Sequence, residues 1–292
     1  FSLFHNYFSK MLSVEQLAFF DKNGFLVIED HTSEEECLAM ETEIGKIIES
    51  FDFVQKSIFV TDDQKREHSD LYFLNSGDKI RYFLEADALD GKGNLKQPKD
   101  VSINKIGHAL HTKNAVFKKW TQRLKETCKS LNFRKPALLQ GMYIFKPPKI
   151  GGAVGSHQDA TFLYTEPQSC IGFWLPIHDA TLENGCLWAI PESHKDPKYE
   201  KVSSRFVRNS DNTGTLFRPK SPELPTDDAI SLPVKKGSLV LIHGSLIHFS
   251  HPNLSENPRH AFTVHAIETD QVEYPKDNWL QYPNYEPFSG FD

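Results

Sequence analysis

The chain has four cysteines in 292 residues, Cys37, Cys128, Cys170 and Cys186, and no two of them form a C-x-x-C pair. That spacing excludes a zinc ribbon or a dithiol redox motif, and it predicts reduced, partly buried thiols rather than a disulfide framework. Long apolar runs are also missing. The opening Phe1 to Lys10 is aromatic but too short and too polar for a secretory core or a membrane span, and it reads as a non-native or disordered lead before a single domain over 11–292. Positive charge is not in excess: 33 Lys and Arg stand against 39 Asp and Glu, for a net charge of −6. No broad basic surface is available to neutralise phosphates, so nucleic acid is not an expected partner. Neither a His-Glu-x-x-His nor a His-x-His cluster occurs, which argues against a zinc hydrolase. Internal repeats and low-complexity tracts are absent. The expectation is a cytoplasmic protein acting on a small molecule, with no membrane and no obligate protein partner.

What is present is enough to fill a sizeable core, at 39% hydrophobic residues and 22 Phe. Ser13-Val14-Glu15-Gln16 has capping-box spacing and Gly24 is a helix stop, so a short helix is predicted over 14–22, followed by a strand at Phe25 to Ile28. A second box from Ser33 to Glu36 opens a longer helix with Cys37, Met40, Ile44, Ile47, Ile48 and Phe51 on one face. Residues 52–100 read as polar and irregular, and Val101 to His108 as a short alternating stretch that could carry Lys105 towards a pocket. Val116, Phe117, Trp120, Leu124, Cys128 and Leu131 form one more helical stripe. After Pro136 the pattern turns to strands, at Leu138 to Phe145, Ile171 to Ile177, Cys186 to Ile190, Leu239 to His243 and Ala261 to Ile267. Asn184-Gly185 is the strongest hairpin signal. Helices first and strands second predict a mainly β core with flanking helices. The sparse segment from Lys195 to about Ser231 is read as a lid over the site mouth.

Three His-x-Asp patterns occur. His68-Ser69-Asp70 ends a charged surface run, and His194-Lys195-Asp196 lies in a polar connection between prolines. His157-Gln158-Asp159 differs, following the Gly-rich Gly151 to Ser156 and opening an apolar, aromatic run. If that run is extended, both side chains leave one face of a strand and can meet one metal ion. A further histidine would complete the 2-His-1-carboxylate face that holds non-haem Fe(II). His243 and His248 compete for that place. His248 is favoured because the Ser250 hydroxyl follows two residues on and Arg259 eleven residues on. Such an iron centre needs a two-electron co-reductant, and 2-oxoglutarate would chelate the metal while its distal carboxylate takes a bidentate arginine and a hydroxyl. His260 and His265 are left as structural. Tyr143, Phe162, Tyr164, Phe173 and Trp174 are candidate pocket walls.

At these residues the chain resembles the phytanoyl-CoA dioxygenase family of Fe(II)/2-oxoglutarate oxygenases. The resemblance is carried by His157-Gln158-Asp159, by Trp174 through Asp179 to Asn184-Gly185-Cys186-Leu187, by Pro191-Glu192-Ser193-His194, and by His248-Phe249-Ser250 with Arg259. It implies a double-stranded β-helix of the jelly-roll, cupin-like type, with the site in its mouth. It implies His157, Asp159 and His248 as iron ligands and catalytic residues, and Lys105, Met142, His157, Gln158, Asp159, Trp174, Ser250 and Arg259 as the 2-oxoglutarate site. O2 would be the oxidant, with ascorbate supporting the iron. Because Asp159 is present, hydroxylation is expected rather than the halogenation of relatives with a small residue there. Glu192 stands where the family usually has glycine, so a turn needing positive φ would be strained. The alternative is a catalytically silent jelly-roll binding module.

Overall fold

The computed structural model describes residues 11–54, 57–59 and 70–291; the lead Phe1 to Lys10 and His68 lie outside the described residues. Both capping boxes form. Ser13 and Gln16 close the start of α1 (Val14–Asn23), which ends on Gly24 at φ +79°, and Ser33 and Glu36 close that of α2 (Glu34–Ser50). A one-turn helix α3 (Leu71–Leu74) is capped by the Asp70 carboxylate. The long stripe after Asn114 is not one helix. It follows a short turn α4 (Leu110–Lys113) and divides into α5 (Ala115–Thr121) and α6 (Leu124–Ser130). Thr121 bends its hydroxyl back to Phe117 O, and Arg123 N donates to Trp120 O in a tightened turn that brings Arg123 onto Glu36. Its apolar residues still pack into one core.

Seven strands build the larger sheet: β1 (Phe25–Ile28), β2 (Ile80–Leu84), β3 (Ile103–His108), β4 (Pro136–Ile144), β6 (Ile171–Pro176), β11 (Leu239–His243) and β13 (Ala261–Glu268). Their order is β1-β11-β6-β13-β4-β3-β2. Strand β2 corrects the reading of 52–100 as irregular. Tyr82, Phe83 and Leu84 are buried in succession, so the two-residue alternation that marks a half-exposed strand is lost. A four-stranded sheet, β10-β7-β12-β5, comprises β5 (Val154–His157), β7 (Leu187–Ala189), β10 (Ile230–Leu232) and β12 (His248–Ser250). Strands β8 (Arg205–Arg208) and β9 (Thr215–Arg218) form a separate two-stranded sheet, and Val207 of β8 bridges to Asn278.

Alternation divides the large sheet cleanly. Phe173 and Leu175 of β6, Leu239 and Leu241 of β11, and Phe262 and Val264 of β13 pack with Met40, Ile44, Phe117 and Trp120 under the helices. The intervening Gly172, Trp174, Thr263 and His265 line a cavity instead. Tyr143 and Phe173 belong to the helix side, so of the five aromatic wall candidates only Phe162 and Trp174 line that cavity. Asn184-Gly185 makes no β6-β7 hairpin, because β6 and β7 belong to different sheets. Asn184 instead closes the turn through Thr181 N and Asp179 O, and Gly185, at φ +86°, lies where a Cβ would meet the His251 carbonyl at 2.6 Å. Glu192 has φ +66°, the left-handed backbone expected to be strained without glycine. All four cysteines are free and buried. Among the described residues no helix is long and apolar enough to cross a membrane.

Candidate active site

Register places two ligands before any side-chain detail is considered. In the small sheet, His248 of β12 is the direct cross-strand partner of His157 of β5, and such partners have side chains within contact range. Their rings lie 4.2 Å apart between centroids. Asp159 arrives differently from the extended run read in the sequence. The strand ends at His157, Gln158 keeps extended backbone, and Asp159 is the first residue of a one-turn helix, α7 (Asp159–Phe162). The turn still delivers the carboxylate, with Asp159 Oδ1 3.5 Å from His157 Nε2 and 3.7 Å from His248 Nε2.

The hydrogen bonds around this triad set its chemistry. His157 Nδ1 is 2.8 Å from Gly155 O and His248 Nδ1 is 3.0 Å from Leu246 O. A carbonyl can only accept, so each imidazole donates through Nδ1 and turns a bare Nε2 lone pair towards Asp159. Burial lowers His248 to a pKa of about 4, so it is neutral at pH 7. Burial works to raise the Asp159 carboxyl, yet the histidines around it, His265 first among them, outweigh it and hold it well below its ordinary value. Two Nε2 atoms and one carboxylate oxygen facing each other are a donor set that suits Fe(II).

His265, read as structural, touches the triad directly. Gln140 donates to His265 Nδ1 at 3.2 Å, so His265 Nε2 carries the proton it gives to Asp159 Oδ2, also at 3.2 Å. Gly172 makes room for that oxygen, since a Cβ there would meet Asp159 Oδ2 at 3.0 Å. The available signal was positional: Thr263 and His265 share a face of β13, and Gly172 is the register partner of His265.

The cavity beside the triad has a volume of about 270 Å³ and is lined by Lys105, Met142, His157, Asp159, Trp174, His248, Ser250 and Arg259, eight of the nine residues expected there. Gln158 is the exception. Its amide donates to Tyr199 O and Ser245 O, at 2.7 and 2.6 Å, and braces the backbone behind the site. Lys105 is buried with its ammonium 3.6 Å from the Phe59 ring centre. Arg259 is 2% exposed and lies over Trp174, and neither its Nε nor its Nη1 has a partner. Two buried cationic N–H groups without acceptors are costly, and an anion in the cavity would satisfy them. Burial lowers Arg259 to about 10, which leaves it charged at neutral pH.

Another basic side chain went unread in the sequence. Lys146 Nζ, on the loop after β4, donates to Gly152 O at 2.8 Å and Ser250 Oγ at 3.0 Å. Burial, with the nearby Arg259 charge adding to it, lowers its pKa to about 6. Nothing in Phe145-Lys146-Pro147 distinguishes it from a surface lysine. The other histidine candidates have different tasks. His243 Nδ1 accepts from Ser245 N at 3.2 Å, and His194 Nε2 donates to Asp21 O at 3.0 Å.

The fold and the sequence both have known counterparts. The phytanoyl-CoA dioxygenase (PhyH) family pattern matches residues 20–261. Phytanoyl-CoA dioxygenase of Arabidopsis thaliana is 46% identical over 272 residues, covering 92% of this chain and 94% of that one. Phytanoyl-CoA dioxygenase domain-containing protein 1 of Mus musculus is 42% identical over 280 residues, covering 92% and 95%. Among solved structures, the non-haem α-ketoglutarate-dependent carbocyclase SnoK from nogalamycin biosynthesis superposes with a TM-score of 0.65 at 17% identity, over 97% of this chain and 95% of that one. The fold is accordingly the jelly roll of that enzyme, its two sheets facing each other without closing into a barrel. The chain belongs to the phytanoyl-CoA dioxygenase family of Fe(II)/2-oxoglutarate oxygenases.

Proposed function

We propose that this chain binds Fe(II) through His157, Asp159 and His248 and couples the decarboxylation of 2-oxoglutarate to hydroxylation of a small-molecule substrate, as a cytoplasmic enzyme. The observation that carries the reading is Arg259, a buried guanidinium with two unpartnered nitrogens in the same cavity as the triad. When bound, the iron and 2-oxoglutarate supply the oxidising chemistry, consuming O2 and releasing succinate and CO2, with ascorbate keeping the metal reduced.

This chain's residues do the rest. His157 and His248 present Nε2, fixed by their Nδ1 bonds to Gly155 O and Leu246 O. Asp159 offers Oδ1 while His265 holds Oδ2. Arg259 receives the distal carboxylate of 2-oxoglutarate in a fork, and Ser250, whose oxygen already accepts from Lys146, has its hydroxyl proton free to give to the same group. Trp174 and Met142 wall this end, with Lys105 beside them. Phe162, Phe206 and Trp279 line the remaining wall and keep water from the reacting centre. The hairpin β8-β9, which carries Phe206, is the lid.

Adding 2-oxoglutarate to the anaerobic Fe(II) protein tests the reading, because chelation of the metal gives a visible charge-transfer band. The band appears with the native chain and is absent in His157→Ala. No band from a fully iron-loaded native chain contradicts the proposal.

A further inference from the structure

A second group of two histidines and a carboxylate lies apart from the cavity, where α2 meets the end of β6 and the start of β13. Glu41 comes from α2, His178 from the second residue past β6, and His260 from the residue before β13. Their donor atoms all fall within 4.8 Å of one another, as those of His157, Asp159 and His248 do. None of the three lines the cavity, so the reaction leaves them unused.

We propose that Glu41, His178 and His260 form a second metal site, which takes a divalent cation of the zinc type. Three features of the cluster support it. Glu41 Oε1 is the shared point, 2.7 Å from His178 Nε2 and 3.9 Å from His260 Nδ1. Donors about 2.0–2.1 Å from a tetrahedral ion stand roughly 3.4 Å apart, so closing the His260 distance by about 0.5 Å and opening the His178 distance by about 0.7 Å completes the geometry. The two imidazoles are stacked beside that carboxylate, with centroids 4.3 Å apart and planes at 23°. His178 Nδ1 accepts from the His260 N–H at 3.4 Å in the metal-free chain and also lies 3.3 Å from Pro258 O, a carbonyl placed to take a proton on Nδ1 once Nε2 is a ligand.

The group is also suitably charged and open. The hydrogen bond from His178 is the main influence lowering Glu41 below its ordinary pKa, so it is a carboxylate, and burial holds His260 neutral. Side-chain exposures of 36% for Glu41, 21% for His178 and 16% for His260 leave a path for the ion and room for a water as fourth ligand. Tyr143 OH, 3.1 Å from His260 Nδ1, holds that nitrogen in the metal-free chain and must release it to the ion. Without metal, His178 Nε2–H donates to Glu41; on binding, the ring's one proton moves to Nδ1 and the ion takes its place at Nε2. A bound ion would tie α2 to the segment that carries Arg259, the residue beside His260.

Zinc stoichiometry tests the site, measured by elemental analysis after gel filtration of metal-free protein loaded with Zn2+ alone. The native chain takes up two equivalents, one at each triad. His178→Gln takes up one, and so does the double variant His157→Ala/Asp159→Ala. Co2+ added to that double variant gives the visible absorption of a four-coordinate site, which His178→Gln on the same background removes. One equivalent in the native chain, or an unchanged two in His178→Gln, overturns the proposal. The His178→Gln change in the otherwise native chain spares the buried centre, so loss of fold cannot imitate the result.

Discussion

Arg259 is the residue on which cosubstrate affinity should turn. A charge-assisted pair of this kind contributes about 1.5–3 kcal/mol, so Arg259→Met is expected to raise the KM for 2-oxoglutarate by roughly 10–150-fold, while iron binding stays intact. Arg259→Lys should recover little of this, because an ammonium cannot reproduce the fork. Lys146 makes a separate prediction. Its pKa of about 6 in the folded chain lies below the ordinary 10.5, so the unfolded chain holds the proton more tightly. The buried lysine therefore costs stability in full below pH 6, and the cost shrinks as pH rises towards 10.5. The native chain should gain stability relative to Lys146→Met as pH rises from 6, read from urea midpoints. Parallel profiles would contradict the burial argument. His265→Ala leaves Asp159 Oδ2 without its donor and should weaken Fe(II) binding by about 10–100-fold, measured by chelator competition.

Legibility in the sequence differed sharply between elements. Both capping boxes and strands β1, β4, β6, β11 and β13 could be read because caps and apolar runs are local signals. The pairing of β5 with β12 could not, since His157 and His248 are ninety-one residues apart and only register makes them neighbours. The end of β5 was misread for a related reason. His-x-Asp suits an extended strand, but the chain turns into α7 at Asp159. Asn184-Gly185 gave the right turn chemistry and the wrong partner, because Gly185 is required by crowding at His251 and by its positive φ rather than by a hairpin. Gly185→Ala should therefore destabilise the fold by about 2–4 kcal/mol, more than a hairpin glycine would, as a thermal or urea midpoint shift. Lys146 and His265 were missed because their roles rest on burial, which spacing does not report.

Across the whole molecule, two sheets bring the oxidising centre together, and the β8-β9 hairpin and the C-terminal segment close one side of it. Arg205 pairs with Asp277, Arg208 donates to Trp279 O and Leu74 O, and Phe206 packs against Phe162 beside the triad. His157, His248 and Ser250 come from the small sheet, Asp159 from α7 and Arg259 from the segment before β13, while the Phe206 wall comes from the hairpin. Phe206→Ala should accordingly lower substrate-stimulated turnover while leaving basal 2-oxoglutarate consumption within about twofold of native, since it touches no ligand. The most direct measurement of the central claim is succinate release by purified protein supplied with Fe(II), ascorbate, O2 and 2-oxoglutarate. The native chain should produce succinate even without a prime substrate, and Asp159→Ala and His157→Ala should produce none above the protein-free control. Equal succinate from those variants, or none from a native chain with its iron bound, would contradict the account.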